Sequence, residues 1–137
     1  MTTNTKPIGV AFEDQNIVGA DFILSDSQLG YTAAAQGAVT QATSKATAVT
    51  LNRPAGRITM NAAALAGNTA VSFTLNNNLI SANDLIVLNV SGGGTNEAYT
   101  TYVSNMTTGS AVVTLRNLTA GSLSEAVILN FAIIHCV

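Results

Sequence analysis

The sequence predicts an all-β fold: a small antiparallel β-sandwich or jelly-roll-like domain with an extended N-terminal arm. From residue 38 onward, short apolar runs are separated by Gly, Asn, Pro or Ser at spacings typical of a sandwich. Several of these runs alternate apolar and polar residues with the two-residue period of a strand. The chain has 137 residues, about the length of one domain, so we expect one core.

Eight strands are predicted, over residues 38–43, 46–51, 55–60, 69–75, 84–90, 97–104, 109–116 and 126–135. The alternation is clearest in TAVSFTL, where Val71, Phe73 and Leu75 share one face and smaller or polar residues share the other. The segment NAAALAG at 61–67 is the helical candidate, a connector of one or two turns that Gly67 ends.

Two predicted strands are apolar on both faces. In the last strand, one face carries Val127, Leu129, Phe131 and Ile133, and the other carries Ile128, Ala132 and Ile134. The strand at 84–90 has the same character. Such strands need cover on both sides, from a central position in the sheet or from a subunit interface. We therefore expect an oligomer. The residues predicted to lie in its interface are Leu88, Ile128, Ala132 and Ile134.

Residues 1–37 are predicted to form the arm, and residues 38–137 the sandwich domain. The arm is rich in acidic residues and glycine, and its apolar residues are too many for a purely solvated tail. Two hypotheses are compatible with this and with each other: the arm docks on another surface, or it adds edge strands to its own domain. The residues predicted to dock are Ile8, Val10, Phe12, Glu13, Asp14, Ile17 and Phe22.

The composition excludes several partners. Charged residues make up 9% of the chain, against roughly 25% in an ordinary soluble domain. A neutral surface rich in Thr, Ser and Asn suits burial against other chains.

The five Lys and Arg residues are scattered, so we expect no nucleic-acid partner. No apolar run reaches membrane-span length and no leader is visible, so a soluble product made in the cytoplasm is expected.

The sequence contains few side chains that could act in catalysis. His135 and Cys136 are neighbours on a strand, so their side chains should point to opposite faces and should not form a base and nucleophile pair. We interpret His135 as a polar tip of the last strand. Arg57 should face away from the core, as an ordinary surface residue or as the partner of an acidic arm residue of a neighbouring subunit. We predict no catalytic, cofactor-binding or metal-binding residue, and no enzyme.

Three stretches carry a family resemblance: TKPIGVAFEDQ, the run GAVTQATSKATAVTLNRPAGRITMNAAALAGNTAVSFTLNN, and AGSLSEAVILNFAIIH. Together they resemble a group of short tailed-phage virion proteins over nearly the whole chain. The most specific parts are TSKATAVTLN, GRITMN and GSLSEAVILNFAII. The resemblance implies a structural protein of the capsid exterior, a trimeric decoration or cement protein whose partner is the major capsid protein. It brings no functional residues with it.

A second hypothesis is a phage fibre tip or a carbohydrate-binding head that uses the loops at 76–83 and 91–97. Against it, aromatic residues are 5% of the chain and Trp is absent, whereas sugar-stacking platforms use exposed aromatic rings. Tyr99 and Tyr102 also cannot both line one face of a strand.

Overall fold

The computed structural model describes residues 19–21 and 24–136. A short 3-10 turn at Ala33–Ala35 precedes the first strand. Within the described residues, the strands are β1 (Gln36–Thr40), β2 (Val49–Thr50), β3 (Ala55–Thr59), β4 (Ala70–Asn76), β5 (Leu85–Gly92), β6 (Tyr99–Thr107), β7 (Ser110–Asn117) and β8 (Ile128–Ile134). The described residues contain no helix of a length and apolarity that would cross a membrane.

The strands form two sheets of four strands each. The β8 sheet has the order β1-β3-β8-β5, and the β7 sheet has the order β2-β4-β7-β6. From β1 to β6 each successive strand lies in the other sheet, so the chain crosses the sandwich at every connection until the β6–β7 hairpin. After two successive crossings, the chain is back in the sheet from which it started and runs in its original direction. For this reason β1 pairs parallel to β3 and β2 pairs parallel to β4, while the remaining pairs are antiparallel.

The prediction of an all-β sandwich is confirmed, and each of the eight predicted strands overlaps an observed one. The strand pairing is antiparallel except at the two edge pairs, β1–β3 and β2–β4, which are parallel. The prediction of a helical turn at 61–67 is wrong. There Leu65 exchanges backbone hydrogen bonds with Leu123, at 2.9 and 3.1 Å, and the Asn61 side chain accepts a bond from the Ala63 N–H at 2.8 Å. These bonds satisfy the backbone in an extended path that a helix would break.

The boundary between arm and domain lies earlier than predicted. The compact sandwich unit begins at Tyr31, and β1 already contains Gln36 and Gly37. The Tyr31 hydroxyl donates a hydrogen bond to the Ile133 carbonyl in the last strand. Residues 31–37 therefore belong to the sandwich rather than to the arm.

The core lies between the two sheets and is built from the inward rows of both. The predicted core row of β4 is confirmed, because Phe73 and Leu75 are buried and Val71 packs against them. The buried core residues are Val49, Ile58, Met60, Leu65, Phe73, Leu75, Ile80, Ile86, Ala111, Val113, Leu115, Val127, Leu129, Phe131 and Ile133. Their removal from water is the main stabilising contribution to the fold.

A buried lysine joins three segments at the margin of this core. Lys45 is 3% exposed, and its Nζ donates to the carbonyl oxygens of Asn61 and Glu125, each at 2.5 Å. The neighbouring Gln41 donates to the carbonyl oxygens of Lys45 and Thr47, at 3.0 and 2.8 Å. Burial lowers the pKa of Lys45, and the Glu125 carboxylate opposes that shift. The amine thus serves as a structural hydrogen-bond donor for two loops.

Replacing Lys45 by Met should destabilise the fold, because the Asn61 and Glu125 carbonyls would lose their buried donor. We expect the free energy of unfolding to fall by about 1–3 kcal/mol, measured by chemical denaturation. The matched control is Arg116→Met at an exposed position, which should change it by less than about 0.5 kcal/mol. Equal stability of Lys45→Met and the wild type would contradict this role.

Candidate functional site: the outer face of the β8 sheet

The most unusual surface of the described chain is the outer face of the β8 sheet, which points away from the core. It is formed by the outward residues of its four strands: Gln36, Ala38, Thr40, Ala55, Arg57, Thr59, Leu85, Val87, Asn89, Ser91, Ile128, Asn130, Ala132 and Ile134. Among these residues Arg57 is the single charged one. The face is therefore nearly neutral, and half of its members are apolar.

Exposed aliphatic side chains gather at one end of this face. Leu85, Val87 and Ile134 are 55%, 52% and 50% exposed. The sheet register pairs Leu85 with Ile134 and Val87 with Ala132, so these four residues are adjacent across β5 and β8. We call them the aliphatic corner. Contiguous exposed apolar residues of this kind are typical of interaction sites on soluble proteins.

The polar centre of the face lies next to the aliphatic corner. Arg57, Asn130 and Asn89 stand in one row across β3, β8 and β5. The Arg57 Nε donates to the Asn130 side-chain oxygen at 3.5 Å, at the long end of hydrogen-bond distances. The guanidinium is exposed, as the sequence analysis expected. Its remaining N–H groups can bind a carboxylate or a carbonyl of a partner.

The structure places three of the four predicted interface residues on this face. Ile128 and Ala132 are half-buried there and Ile134 is half-exposed. The prediction that Leu88 lies in the interface is wrong, because its side chain packs against the core on the inward row of β5. The outward row of β5 instead presents Leu85 and Val87, which the prediction missed.

A signal for the correct row was present in the sequence. Asn89 lies on the same face of β5 as Leu85 and Val87, because these residues alternate along the strand. A polar residue in this row indicates that the row faces outwards. The residues predicted to dock through the arm lie outside the described residues. They are Ile8, Val10, Phe12, Glu13, Asp14, Ile17 and Phe22.

A shallow trough runs along the β1 side of the same face. Its volume is about 400 Å³, and it is lined by Gln36, Gly37, Ala38, Ala55, Gly56, Arg57, Asn130 and Phe131. Gly56 is required beneath this trough, since an added Cβ would come within 2.8 Å of the Gly37 carbonyl oxygen and within 2.7 Å of the Leu51 side chain. The outward residues Ala38 and Ala55 have small side chains and line the trough beside Arg57.

A second cavity of about 480 Å³ lies at the β5–β6 loop, one of the loops considered for a binding head. Its lining is Val90, Ser91, Gly92, Gly94, Thr95, Asn96, Glu97 and Tyr99. Behind it the Glu125 carboxylate accepts bonds from the Thr95 hydroxyl at 2.7 Å, the Thr95 N–H at 3.0 Å and the Tyr99 hydroxyl at 2.8 Å. The hydrogen bonds from Thr95 lower the pKa of Glu125, and the bond from Tyr99 contributes less. Burial, together with the Glu125 carboxylate, raises the pKa of Tyr99. This carboxylate is used to hold the loop.

The loop at 76–83, the other loop considered for a binding head, is also held by hydrogen bonds within the chain. Asn77 is buried, and its side chain donates to the Arg53 carbonyl at 2.7 Å and accepts from the Leu79 N–H at 3.0 Å. Its backbone N–H donates to the Gly109 carbonyl at 2.9 Å. The loop at 76–83 is therefore fixed to its neighbours.

The two tyrosines of β6 lie on opposite faces, as the sequence analysis stated. Tyr99 packs against the core, and Tyr102 is 48% exposed on the outer face of the β7 sheet. A row of hydroxyls runs beside Tyr102: Ser72 and Thr114 are joined at 2.8 Å, and Thr114 donates to Ser104 at 3.0 Å. This second face is polar around Tyr102, whereas the outer face of the β8 sheet carries the aliphatic corner.

The end of β8 carries an acid and imidazole pair. The Asp84 side chain is fully buried, and its Oδ2 lies 2.9 Å from the His135 Nδ1. Asp84 also accepts bonds from the Ser81 hydroxyl at 2.6 Å, the Ser81 N–H at 2.8 Å and the Cys136 N–H at 3.3 Å. These bonds, those of Ser81 above all, hold the pKa of Asp84 well below its usual range. His135 lies at the end of the last strand, as predicted from the sequence, whereas its partner Asp84 was not predicted.

Changing Asp84 to Asn should make stability less dependent on acid pH. The pKa of Asp84 is lower in the folded state than its ordinary 3.8, so its contribution is complete above that pH and is lost as the pH falls below it. The variant should melt at a lower temperature than the wild type at pH 7, and the difference should narrow towards pH 2. Thermal unfolding across this range measures both effects, with the exposed Glu97→Gln as the control. A difference that does not change with pH would contradict the assignment.

Comparisons with known proteins do not assign this chain to a family. No protein-family model matches the chain, no curated protein matches it, and no solved structure matches its fold. The surfaces and contacts of the chain are therefore the basis for inferring its function.

Proposed function

We propose that this chain is a structural protein of a tailed-phage virion, a decoration protein that binds the outer capsid surface as a homotrimer and stabilises the shell. The observation that carries the proposal is the outer face of the β8 sheet. It combines the aliphatic corner with a nearly uncharged surround, so little charge has to be desolvated when another chain covers it.

The geometry supports self-association through this face. A closed oligomer uses the same patch on every copy, and a patch around Ile134 and Val87 can be buried against equivalent residues without opposing charges. Arg57, at the edge of the aliphatic corner, would remain at the rim, where a polar contact contributes more to specificity than to affinity. A trimer places identical sandwiches at three-fold positions of a shell.

The arm supplies the second contact in this proposal. Residues 1–30 contain four acidic residues and one lysine, whereas the sandwich from Tyr31 carries four basic and three acidic residues. A segment of this charge and apolar content is suited to a complementary surface on the major capsid protein. Its attachment energy would be separate from the energy that folds the sandwich.

One observation favours the alternative function, a fibre or carbohydrate-binding head. Tyr102 presents a half-exposed ring among hydroxyls on the outer face of the β7 sheet, and such a ring can stack on a sugar. The loops that were first considered for this function hold their own polar groups instead. A glycan array probed with the wild type and with Tyr102→Ala tests this alternative directly.

Changing Ile134 to Asp should dissociate the trimer. The side chain is half-exposed in one chain, so the carboxylate is tolerated in the folded monomer, but an interface would have to desolvate it without a partner. Light scattering at micromolar concentration should show the wild type at three chain masses and the variant at one. Thr100→Asp, on the outer face of the β7 sheet, is the matched control and should remain trimeric. A monomeric wild type, or a trimeric Ile134→Asp, would be incompatible with this interface.

Deleting residues 1–30 should weaken capsid attachment more than folding. Because the sandwich unit begins at Tyr31, this truncation should keep the melting temperature within a few degrees of the wild type. Its occupancy on capsids stripped of decoration protein should fall at equal protein concentration. Deletion of residues 1–37 is the contrasting variant. It also removes the Tyr31 bond to Ile133 and the first two residues of β1, so it should melt earlier.

Two results would count against this division of roles. Full occupancy by the chain that starts at Tyr31 would place the capsid contact on the sandwich. Loss of cooperative unfolding in the same variant would assign the arm to the core.

A further inference from the structure

The guanidinium of Arg57 is available for a further partner. Among the described residues, its hydrogen bonding is limited to the bond from Nε to the Asn130 side-chain oxygen at 3.5 Å, and it takes part in no ion pair. The N–H groups on its two terminal nitrogens match the two oxygens of a carboxylate. Since no other outward residue of the β8 sheet is charged, a carboxylate that binds this face would be directed to Arg57.

The carboxylates of the sandwich are placed elsewhere. Asp84 and Glu125 hold connections of their own through Ser81 and Thr95. Glu97 lines the separate cavity at the β5–β6 loop. The four other carboxylates of the chain all lie within residues 1–30: Glu13, Asp14, Asp21 and Asp26. Within this protein, the arm is therefore the source of a carboxylate for Arg57.

The sequence around Asp14 combines the carboxylate with an apolar row. In an extended conformation, Val10, Phe12 and Asp14 would share one face, and Ala11 and Glu13 would share the other. The row ends in a carboxylate and is preceded by an aromatic ring and an aliphatic side chain. Such a row can bind an apolar surface that has a cation at its end.

The two other acidic positions of the arm lack this pattern. Asp21 follows Gly19, whose φ of 73° lies in the left-handed region and interrupts an extended run. Asp26 lies between Ser25 and Ser27, so it has no apolar neighbour on either side. The pattern assigns the contact with Arg57 to Asp14.

The outer face of the β8 sheet has the complementary order of side chains. On β3, Arg57 and Ala55 are two residues apart on the outward row, and Ala55 pairs with Ala132 of β8. Ile134 is the next outward residue of β8. Outward residues of a strand repeat at about 6.6 Å, which is also the repeat of Val10, Phe12 and Asp14 in an extended chain. A cation, a small residue and an aliphatic residue thus follow one another at the spacing of the arm row.

The trough supplies room for the aromatic ring of this row. It is lined by the small side chains of Ala38 and Ala55, and it lies beside Arg57. Its volume of about 400 Å³ is within the range of clefts that take up small ligands, roughly 300–1,000 Å³. A ring that fills it would cover apolar surface next to the ion pair, where exclusion of water strengthens the attraction between the charges.

We propose that residues 10–14 of this protein bind the outer face of the β8 sheet, with the Phe12 ring in the trough and the Asp14 carboxylate on Arg57. Val10 then reaches the margin of the aliphatic corner at Ile134, while Leu85 and Val87 stay open. The chain between Asp14 and Tyr31 can extend to roughly 55 Å at about 3.3 Å per residue, so the segment can reach the face of its own copy or of a neighbouring one. The contact does not require the trimer, and it leaves residues 15–30 for the capsid.

The test traps the bound segment with a disulfide in the full chain carrying Cys136→Ser, so that the native thiol cannot react. Phe12→Cys is combined with Ala55→Cys, and disulfide formation under mild oxidation is followed by peptide mass mapping. The control combines Phe12→Cys with Thr100→Cys, at an exposed position on the outer face of the β7 sheet. The Ala55 pair should close at least about tenfold faster, because docking raises the effective concentration of the two thiols. Unchanged melting temperatures of the reduced variants verify their folding.

Charge reversal tests the ion pair in the same trapping background. Arg57→Glu and Asp14→Arg should each slow the closure of the Ala55 pair by about two- to fivefold, the effect of an exposed ion pair. The two reversals together should restore the rate. Arg116→Glu, at an exposed position on the β7 sheet, is the matched control and should leave the rate unchanged.

Equal closure rates for the two cysteine pairs would overturn the docking, and charge reversals without effect or without mutual rescue would overturn the contact with Arg57. A non-reducing gel identifies the copy that supplies the segment, and a cross-link within one chain or between chains supports the docking equally. These readouts are independent of the capsid. A chain that traps this segment but remains a monomer, or does not bind capsids, would keep the docking site and reject the proposed function.

Discussion

The central position of β8 is the constraint on which the rest of the sandwich depends. It pairs with β3 on one side and with β5 on the other, over almost its whole length. Its inward row, which includes Leu129, Phe131 and Ile133, is buried in the core. The position of every other strand in this sheet follows from that of β8, because β1 pairs with β3 and β5 is the opposite edge. The same strand directs Ile134 outwards, so the core and the candidate interface share one backbone.

Three of the seven charged side chains of the sandwich hold its own loops through hydrogen bonds. Lys45 holds the carbonyls of two loops, Glu125 holds Thr95 and Tyr99, and Asp84 holds Ser81 and His135. Each of these contacts stabilises an irregular connection, where the regular bonds of a sheet are lacking. A chain with so few charges that uses three of them internally has little charge for its faces. The neutrality of the outer face of the β8 sheet is thus linked to how the loops are held.

The crossing pattern of the chain explains why these connections need such support. Strands that alternate between sheets are joined by arches over the sandwich instead of tight hairpins, and an arch leaves backbone groups without sheet partners. Buried asparagines supply many of the missing bonds. Asn117 donates to the carbonyls of Leu65 and Gly121, at 3.0 and 2.9 Å, and Asn77, in the connection between β4 and β5, donates to the carbonyl of Arg53. Asparagine suits this work because one side chain both donates and accepts.

The sequence by itself determined the class of fold and the eight strands, because the alternation of side chains along a strand is a local property. It also identified β8 and β5 as strands with two apolar faces. What it did not contain was the partner of each strand, which depends on contacts between distant residues. Only the tertiary structure showed that Leu88 faces the core while Leu85 and Val87 face outwards. Likewise, the residues at 61–67 favour a helical turn locally, but pairing with Leu123 decided an extended path. Asp84 and His135 are 51 positions apart, and only the adjacency of β5 and β8 brings them together.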